Sequence, residues 1–143
     1  MVEIKQCKDY NPGQLEQIIE LMSQLCPECP AMTRDHFDQL LNHATTKLFI
    51  AMDQGQILGS LTLAWYPVPT TIRAWIEDVV VDKNHRGKKI GEALILHAIE
   101  EAKRSGIKQV DLTSRPDRIE ANKLYLKLGF QKRETNAYRL YIN

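Results

Sequence analysis

The sequence predicts a single α/β domain over residues 1–143, built on a mixed, α+β sheet of about seven strands with about four helices. Three observations support this prediction. Stretches of apolar and β-branched residues alternate with amphipathic helical patterns along the chain. One apolar strand leads into a long helix through a short loop with glycines. The 143 residues are enough to bury one core, and no linker or repeat divides them.

Local signals separate the predicted elements of the N-terminal half. Asn11 followed by Pro12 is typical of a helix start, because Asn caps free N–H groups and proline suits the first helical position. Pro27 and Pro30 stop that helix, and Gln54-Gly55 is typical of a hairpin turn. The predicted elements are a strand over 2–8, a helix over 12–26, a second helix capped by Thr33, strands over 47–53 and 56–66, a Pro67-Val68-Pro69 turn and a strand over 71–82.

Glycines mark the ends of both helices in the C-terminal half. Gly106 and Gly129 each follow a helical pattern, where a left-handed residue commonly ends a helix. Asp117 with Glu120 three residues later predicts a capping box at the start of the second of these helices. The predicted elements are a helix over 88–104, a strand over 108–114, a helix over 118–128 and two short strands at about 130–135 and 138–142.

A basic loop containing glycine joins the strand that ends near residue 81 to the helix that follows it. The first turn of a helix leaves backbone N–H groups unpaired, and the helix dipole favours negative charge there. Gly87 and Gly91 allow a ligand to approach the backbone closely. The sequence therefore predicts a seat for a phosphate-bearing ligand. Its candidate residues are Val79, Val80, Val81, Arg86, Gly87, Lys88, Lys89, Ile90, Gly91 and Glu92.

Two familiar phosphate-binding loops do not fit the spacing. A P-loop requires a glycine five residues before its Gly-Lys pair and a Ser or Thr after it, whereas Gly87-Lys88 has Asp82 before it and Lys89 after it. A dinucleotide-binding loop that starts at Gly87 requires a glycine at position 89, where a lysine stands. Neither loop type is therefore present.

The loop instead resembles the acyl-CoA loop of the GNAT superfamily of N-acyltransferases. The matching residues are Val79, Val81, Arg86 and Gly91. Lys89 departs from the family pattern, because it replaces the first glycine of that pattern; we expect it to adopt helical backbone angles, so that the loop still forms. The segment from Asn122 to Phe130 resembles the family's downstream helix, which carries an Asn and an aromatic residue near the CoA and ends in Gly-Phe.

The resemblance covers about residues 47–142 and implies a fold, a co-substrate and a reaction. The implied GNAT fold is a central splayed sheet with acetyl-CoA in the opening between its fourth and fifth strands. The implied reaction moves an acetyl group from acetyl-CoA, the co-substrate, to a primary amine in a ternary complex. We expect a small polar acceptor; the alternatives are a protein α-amine or lysine, and a CoA-binding sensor without turnover.

The resemblance also implies roles for particular residues. In this family a bulge in the fourth strand aims a backbone N–H at the thioester oxygen; by position this is Val79, with Val81 pairing the pantetheine. Tyr125, four residues before Gly129, matches the family's general acid, and a buried core tyrosine is the alternative. Asn122 matches a pantetheine-binding residue, and a solvated helix surface is the alternative.

The base is expected just before the three valines. Glu77 and Asp78 resemble the hydrophobic-Glu-Asp segment of amino-sugar-phosphate and polyamine N-acetyltransferases, in which the Glu acts on the amine directly or through water. Strand alternation places Glu77 on the face of Val79 and Val81, and Asp78 on the other face. Glu77 is the first candidate base and Asp78 the second; the structural alternative is a carboxylate paired with Arg73 or a lysine.

Composition narrows the set of partners. The formal net charge is +1 and the basic residues are scattered outside the one loop, so no nucleic-acid partner is expected. No apolar run could span a bilayer and residues 1–8 lack the apolar region of a signal peptide, so we expect no membrane partner and a cytoplasmic location. Cys26 and Cys29 have redox or metal spacing without accompanying ligands, so a loop that carries two thiols is expected rather than a metal site; the spacing also allows the pair to oxidise. A homodimer, common in the superfamily, is left open.

Overall fold

The computed structural model describes residues 1–143, which form two compact units, Met1–Leu112 and Thr113–Asn143. The first unit contains β1 (Glu3–Cys7), α1 (Pro12–Leu25), α2 (Arg34–Asn42), β2 (Thr46–Asp53), β3 (Gln56–Val68), β4 (Thr71–Val81) and α3 (Ile90–Arg104), and the second contains α4 (Ile119–Lys127). The four strands pair antiparallel in chain order, β1-β2-β3-β4. None of the four helices combines the length and the apolar character needed to cross a bilayer.

Strand alternation gives the sheet of the first unit two apolar faces. Leu48 on β2 belongs to a buried cluster with Ile18 of α1 and Phe37 of α2. Its neighbour Phe49 lies on the opposite face, where its ring meets the His97 ring of α3 edge-on, with 4.9 Å between centroids. Helices therefore cover both faces of the sheet, as expected for a mixed α/β chain.

Two contacts hold α3 against the sheet. A Cβ atom built on Gly59 of β3 would lie 3.0 Å from the Val80 carbonyl oxygen and 3.2 Å from Cγ2 of Ile90. The first turn of α3 can approach β3 this closely because glycine has no side chain. Further along α3, Glu101 pairs with Lys47 of β2, and the hydrogen bond from Lys47 holds the pKa of Glu101 below its usual range. The first contact places the start of α3 beside β3, and the second ties the C-terminal part of α3 to β2.

Most predicted elements of the first unit are confirmed, with ends shifted by one or two residues. The side chains of Asn11 and Thr33 cap α1 and α2, as predicted. The predicted turn at Pro67-Val68-Pro69 is displaced to residues 69–70, because β3 continues through Pro67 to Val68. The pairing of β2 with β3 stops at Ala64, so Pro67 has a strand neighbour on one side only. A residue there can lack a backbone N–H without breaking a ladder hydrogen bond to β2.

The predicted strand over 108–114 is reduced to one parallel bridge, between Trp75 and Asp111. The Asp111 N–H donates to the Ala74 carbonyl at 2.9 Å, and the Ile76 N–H donates to the Asp111 carbonyl at 2.9 Å. β4 becomes irregular two residues after Ile76. A longer parallel ladder would require a regular strand at that point, so the pairing with residue 111 does not extend along β4.

In the second unit, α4 ends as predicted but starts differently. Gly129 has a φ of 99°, and the Phe130 N–H donates to the Tyr125 carbonyl at 3.0 Å, as in a Schellman motif. The predicted capping box is wrong, because Arg118 is the residue before the helix and no side chain caps the first turn. Asp117 stands one position too early for that role.

Residues 130–143 contain no strand, so the predicted strands at about 130–135 and 138–142 are wrong. Alternation shows which residues could share a face of a strand, but a strand also requires a ladder partner, which alternation cannot supply. The exposed side chains of this segment include Tyr138, Leu140, Tyr141 and Ile142. The sheet therefore has four strands instead of about seven.

The cysteine pair is oxidised. Cys26 and Cys29 form a disulfide, with 5.4 Å between their Cα atoms, directly after α1. Cys26 also ends that helix: its N–H still donates to the Met22 carbonyl at 2.8 Å, but its φ of −140° is no longer helical. The third cysteine, Cys7, is buried as a free thiol.

Candidate functional site

β4 contains a bulge beside its two acidic residues. Thr62 of β3 is opposite Glu77, and Ser60 is opposite Val80, so two residues of β4 stand against one residue of β3. The bulged pair is Asp78-Val79. A bulge disrupts the ladder locally and leaves backbone groups of the inserted residue outside it. The bulge that the family resemblance implies for the fourth strand is therefore confirmed.

The bulge reverses the alternation that the sequence predicts for the end of β4. Glu77 and Val80 share one face, and Val81 lies on the other. The prediction that Glu77 shares a face with Val79 and Val81 is wrong, because one inserted residue shifts the phase of every residue after it. The three consecutive valines conceal this shift, since an apolar run has no visible period.

Asp78 adopts the left-handed conformation, with a φ of 50°. Aspartate tolerates this region better than most residues because its short polar side chain can be satisfied locally. Regular alternation would turn the Asp78 carboxylate toward the face of Ala74 and Ile76, which are both buried. Its side chain is exposed instead, so the bulge keeps a charge out of the core.

The surroundings of Glu77 shift its pKa. Partial burial, with a further contribution from the Asp78 carboxylate, raises the pKa of Glu77 above its usual range. The structural alternative, a pair with Arg73, is not formed, since the Arg73 Nε is buried without a hydrogen-bond partner. A carboxylate that ionises closer to neutral pH is suited to accept a proton.

The outer edge of β4 is open beside this bulge. β4 is the last strand of the sheet, and residue 111 pairs with it only at the Trp75 bridge. Residues 77–81 come after that bridge and have no ladder partner on this side within the first unit. Such an edge can pair with an extended ligand as with an added strand.

The loop after β4 is attached to α1. Gln24 Nε2 donates to Asp82 Oδ1 at 2.8 Å, and the Lys83 N–H donates to Gln24 Oε1 at 2.9 Å. Asp82 Oδ2 lies 2.8 Å from His85 Nδ1, and the Asp82 N–H donates to the Leu58 carbonyl at 2.7 Å. The bonds from Gln24 and His85 hold the pKa of Asp82 below its usual range. The first residues of the loop are therefore tied to both α1 and β3.

Lys89 precedes α3 with a φ of 64° and a ψ of 23°. The prediction of helical angles is wrong, because these angles are left-handed. Glycine adopts them at little cost, whereas another residue gives up roughly 1–2 kcal/mol. The loop therefore keeps the backbone shape that the family's glycine would provide, although the side chain is a lysine.

The start of α3 presents backbone N–H groups together with cations. Arg86, Lys88 and Lys89 are all exposed, and Gly87 has a φ of 80°. The Ile90 side chain is only 3% exposed, so only its backbone is available to a ligand. Because first-turn N–H groups lack partners within the helix, this arrangement suits a phosphate.

The second unit carries Tyr125 and Asn122 on α4. Tyr125 is buried, its ring meets the Phe130 ring edge-on at 5.9 Å, and burial raises the pKa of its phenol. The phenol is therefore protonated at neutral pH. Asn122 Nδ2 donates to the Arg115 carbonyl at 3.0 Å, which leaves its Oδ1 for another partner. The predicted roles of both residues stay predictions.

A comparison with known families identifies the chain. The profile described as the Acetyltransferase (GNAT) family matches residues 15–130, which is most of the sequence. The chain belongs to the GNAT acetyltransferase family. The GNAT resemblance drawn from the loop and from the α4 segment is thereby confirmed.

Relatives within the GNAT family agree in fold and differ in the acceptors that they are named for. A glucosamine 6-phosphate N-acetyltransferase of Trypanosoma brucei brucei is 37% identical over 92 residues, covering 62% of this chain and 60% of the relative. The N-alpha-acetyltransferase MAK3 of Arabidopsis thaliana is 32% identical over 95 residues, covering 66% of this chain and 50% of the relative. Both matches therefore span less than two thirds of the relative's length. A solved Trypanosoma brucei acetyltransferase has a TM-score of 0.82 and 28% identity, over 99% of this chain and 100% of that one.

The sequence did not predict a role at the site for two residues of this GNAT chain, and it offered Arg73 only as an ion-pair partner of a carboxylate. Gln24 secures the loop through two hydrogen bonds. The sequence signal for it is its position two helical turns after Gln17, which puts both glutamines on the same side of α1. Arg73 holds an unpaired guanidinium on the face of β4 that carries Glu77. Its signal was the alternation of Arg73, Trp75 and Glu77, which puts a cation, an aromatic ring and a carboxylate in one row.

Proposed function

We propose that this chain transfers an acetyl group from acetyl-CoA to a primary amine of a small polar acceptor, by direct attack in a ternary complex. The observation that carries the proposal is the bulge at residues 78–79, at the open edge of β4 and just before a loop suited to phosphate. A thioester lying along that edge would have its carbonyl beside backbone groups that have left the ladder. Membership of the GNAT family supports the same reaction.

Acetyl-CoA is bound at both the loop and the strand edge in this proposal. The N–H groups at the start of α3 and the charges of Arg86, Lys88 and Lys89 hold the pyrophosphate. The pantetheine pairs with the edge at Val81, as an added strand would. The Val79 N–H donates to the thioester oxygen as negative charge develops, and one such donor contributes about 3 kcal/mol in acyl transfer.

Proton transfers fall to the acidic pair and to Tyr125. The amine nitrogen forms a bond to the acetyl carbon while the bond from that carbon to sulfur breaks. Glu77 takes the amine proton directly or through a water, and Asp78 is the second candidate for this role. The Tyr125 phenol gives a proton to the CoA thiolate, and its raised pKa keeps that proton available at neutral pH.

A protein α-amine is the second candidate acceptor. The Arabidopsis thaliana relative is named as an N-alpha-acetyltransferase and supports this reading. We favour a small acceptor because the relative named for glucosamine 6-phosphate is more similar in sequence. A CoA sensor without turnover is the third candidate. The cytoplasmic location and a homodimer stay predictions of the sequence.

Release of the CoA thiol in the presence of an amine panel tests the proposal. The panel contains amino sugars, a polyamine, an aminoglycoside and a peptide with a free α-amine. We expect thiol release that depends on a small amine, with an acetylated product identified by mass spectrometry. Preference for the peptide would support the second candidate. Binding of acetyl-CoA by calorimetry without release for any amine would refute the enzyme and support a sensor.

A further inference from the structure

We propose that the acceptor carries a phosphate or phosphonate group and that Arg73 binds this group. The inference rests on the proposed acetyl transfer and adds a second functional group to the acceptor. Arg73 lies on β4 four residues before Glu77, the first candidate base. Both belong to one face of the β3–β4 pair, here named the acceptor face. The residues of the acceptor face are Thr62, Ala64, Tyr66, Arg73, Trp75 and Glu77.

The register of β3 and β4 puts these six residues on one face. The opposed pairs are Thr62 with Glu77, Ala64 with Trp75, and Tyr66 with Arg73. Directly opposed residues point to the same side, and every second residue repeats that side. Thr62 is also opposite Leu48, which belongs to the cluster with α1 and α2. The acceptor face is therefore the continuation of the sheet face that those two helices cover.

Arg73 is a partly buried cation without a counter-ion. Its Nε is buried with no hydrogen-bond partner, and no ion pair engages its guanidinium. A buried N–H donor without an acceptor is costly, so a ligand that supplies an acceptor oxygen would stabilise this position. Glu77 does not act as the partner, since four residues along a strand separate the two Cα atoms by about 13 Å. An anionic ligand would supply what is missing.

Two aromatic residues line the space between the cation and the base. Trp75 stands between Arg73 and Glu77 on the strand, and its Nε1 donates to the Tyr66 hydroxyl at 3.3 Å, which orients both rings. An aromatic surface excludes water and can carry the apolar side of a sugar ring or a short alkyl chain. An acceptor therefore fits when a body about as wide as a sugar ring separates its amine from its anion.

The guanidinium favours a tetrahedral oxyanion over the other acceptor classes. Its planar array of N–H groups, including the unpaired Nε–H, can bind two oxygens of a phosphate or phosphonate at once. A polyamine or an aminoglycoside would instead bring further positive charge toward Arg73. A peptide α-amine carries no anion at a set distance. Arg73 therefore selects amines that bear phosphorus oxyanions.

Paired amines and three variants test the inference. The pairs are glucosamine 6-phosphate with glucosamine, and 2-aminoethylphosphonate with ethanolamine, so a ring-sized phosphate and a short phosphonate are tested separately. The variants are Arg73→Gln, Arg73→Lys and the control Lys8→Gln, which removes an exposed cation outside the acceptor face. Measurements are kcat and KM for each amine, acetyl-CoA affinity, melting temperature, and calorimetric binding of glucosamine 6-phosphate with CoA present.

For the wild-type chain we expect kcat/KM at least tenfold higher for a phosphorus-bearing amine than for its neutral partner. Arg73→Gln should remove that advantage, mainly through KM, and leave the neutral amine and the acetyl-CoA affinity within about twofold. Arg73→Lys should keep part of the advantage, because it retains charge without the planar array of N–H groups. Lys8→Gln should match the wild type.

Three results would overturn the inference: a preference for neutral or peptide amines, an equal loss for both members of a pair in Arg73→Gln, or an equal loss in Lys8→Gln. Absence of thiol release with every amine would instead refute the proposed acetyl transfer. In that case the calorimetric binding measurement still tests whether Arg73 binds the anion. Loss of glucosamine 6-phosphate binding in Arg73→Gln alone would support the site, and unchanged binding would overturn it.

Discussion

Replacing Gln24 by methionine keeps the length of the side chain and removes the amide that joins α1 to the loop after β4. Two hydrogen bonds disappear: the donation from Nε2 to Asp82 Oδ1 and the acceptance by Oε1 from the Lys83 N–H. Asp82 then keeps its hydrogen bonds with Asn84, His85 and Leu58, and the loop has lost its bonds to α1. The loss of these bonds should therefore lower the free energy of unfolding and weaken acetyl-CoA binding.

The size of the effect follows from the two bonds. A hydrogen bond between neutral groups contributes about 1 kcal/mol, and one to a charged group about 1.5–3 kcal/mol. The Asp82 side chain is only 15% exposed, so water replaces its lost donor poorly. We expect the free energy of unfolding to fall by about 2.5 kcal/mol, the lower end of the sum of the two contributions. In a domain of this size that change lowers the melting temperature by about 5–8 °C.

Gln17 provides a matched control on the same helix. Its Nε2 donates to the Gly55 carbonyl at 3.3 Å, and its Oε1 accepts from the Ile57 N–H at 2.7 Å. These two bonds brace the β2–β3 hairpin, whereas those of Gln24 brace the loop. Gln17→Met should lower the melting temperature by a comparable amount and leave acetyl-CoA affinity within about twofold.

Calorimetry then separates the two variants by their acetyl-CoA dissociation constants. If binding must restore the order that Gln24 provides, Gln24→Met should weaken acetyl-CoA by about 3- to 30-fold, the upper figure corresponding to about 2 kcal/mol. Equal losses of melting temperature with unchanged affinity in both variants would refute the reasoning. They would mean that α1 stabilises the fold without shaping the phosphate seat.

Four further predictions follow from single residues. Because the pKa of Glu77 is raised, wild-type kcat/KM should fall as pH drops through that raised value. Glu77→Gln should abolish this acidic limb of the profile and lower the rate at least tenfold, without lowering the melting temperature at neutral pH. A normal profile with full activity would exclude Glu77 as the base. Tyr125→Phe should lower kcat at least tenfold and leave acetyl-CoA affinity nearly unchanged, whereas unaltered turnover would assign Tyr125 to the core. Gly59→Ala should cost about 1–3 kcal/mol of unfolding free energy in chemical denaturation, because its Cβ would meet the Val80 carbonyl at 3.0 Å; a smaller loss would show that α3 shifts freely. Lys89→Gly should raise stability by up to about 1 kcal/mol, since relief of the left-handed strain exceeds the entropy cost of glycine, and a decrease would reveal a stabilising contact of the lysine side chain.

Signals that act over a few residues were predictable from the chain itself. Asn11 and Thr33 cap their helices, and Gly106 and Gly129 end theirs, because each residue interacts with backbone groups within one helical turn. Asp117 shows the limit of such signals, since a helix that starts one residue later leaves it without the role that its spacing suggests. The family-specific loop was recognisable for the same local reason.

Features that depend on the neighbour across the sheet were not predictable. The three valines fit a regular strand and a bulged strand equally well, so the sequence alone could not tell which face Glu77 shares. Residues 130–142 alternate like strands, yet alternation supplies no partner for a ladder.

The sequence by itself determined most helix ends, the hairpin turn, the basic loop and membership of the GNAT family, because these depend on residues close together along the chain. Only the tertiary structure decided which face each residue at the end of β4 occupies, the hydrogen bonds from Gln24 to the loop and the burial of the Arg73 Nε without a partner. Each of these depends on atoms far apart in sequence that packing brings within bonding distance, or fails to bring together. Sequence periodicity carries no record of that outcome, since it describes one element and not its partner.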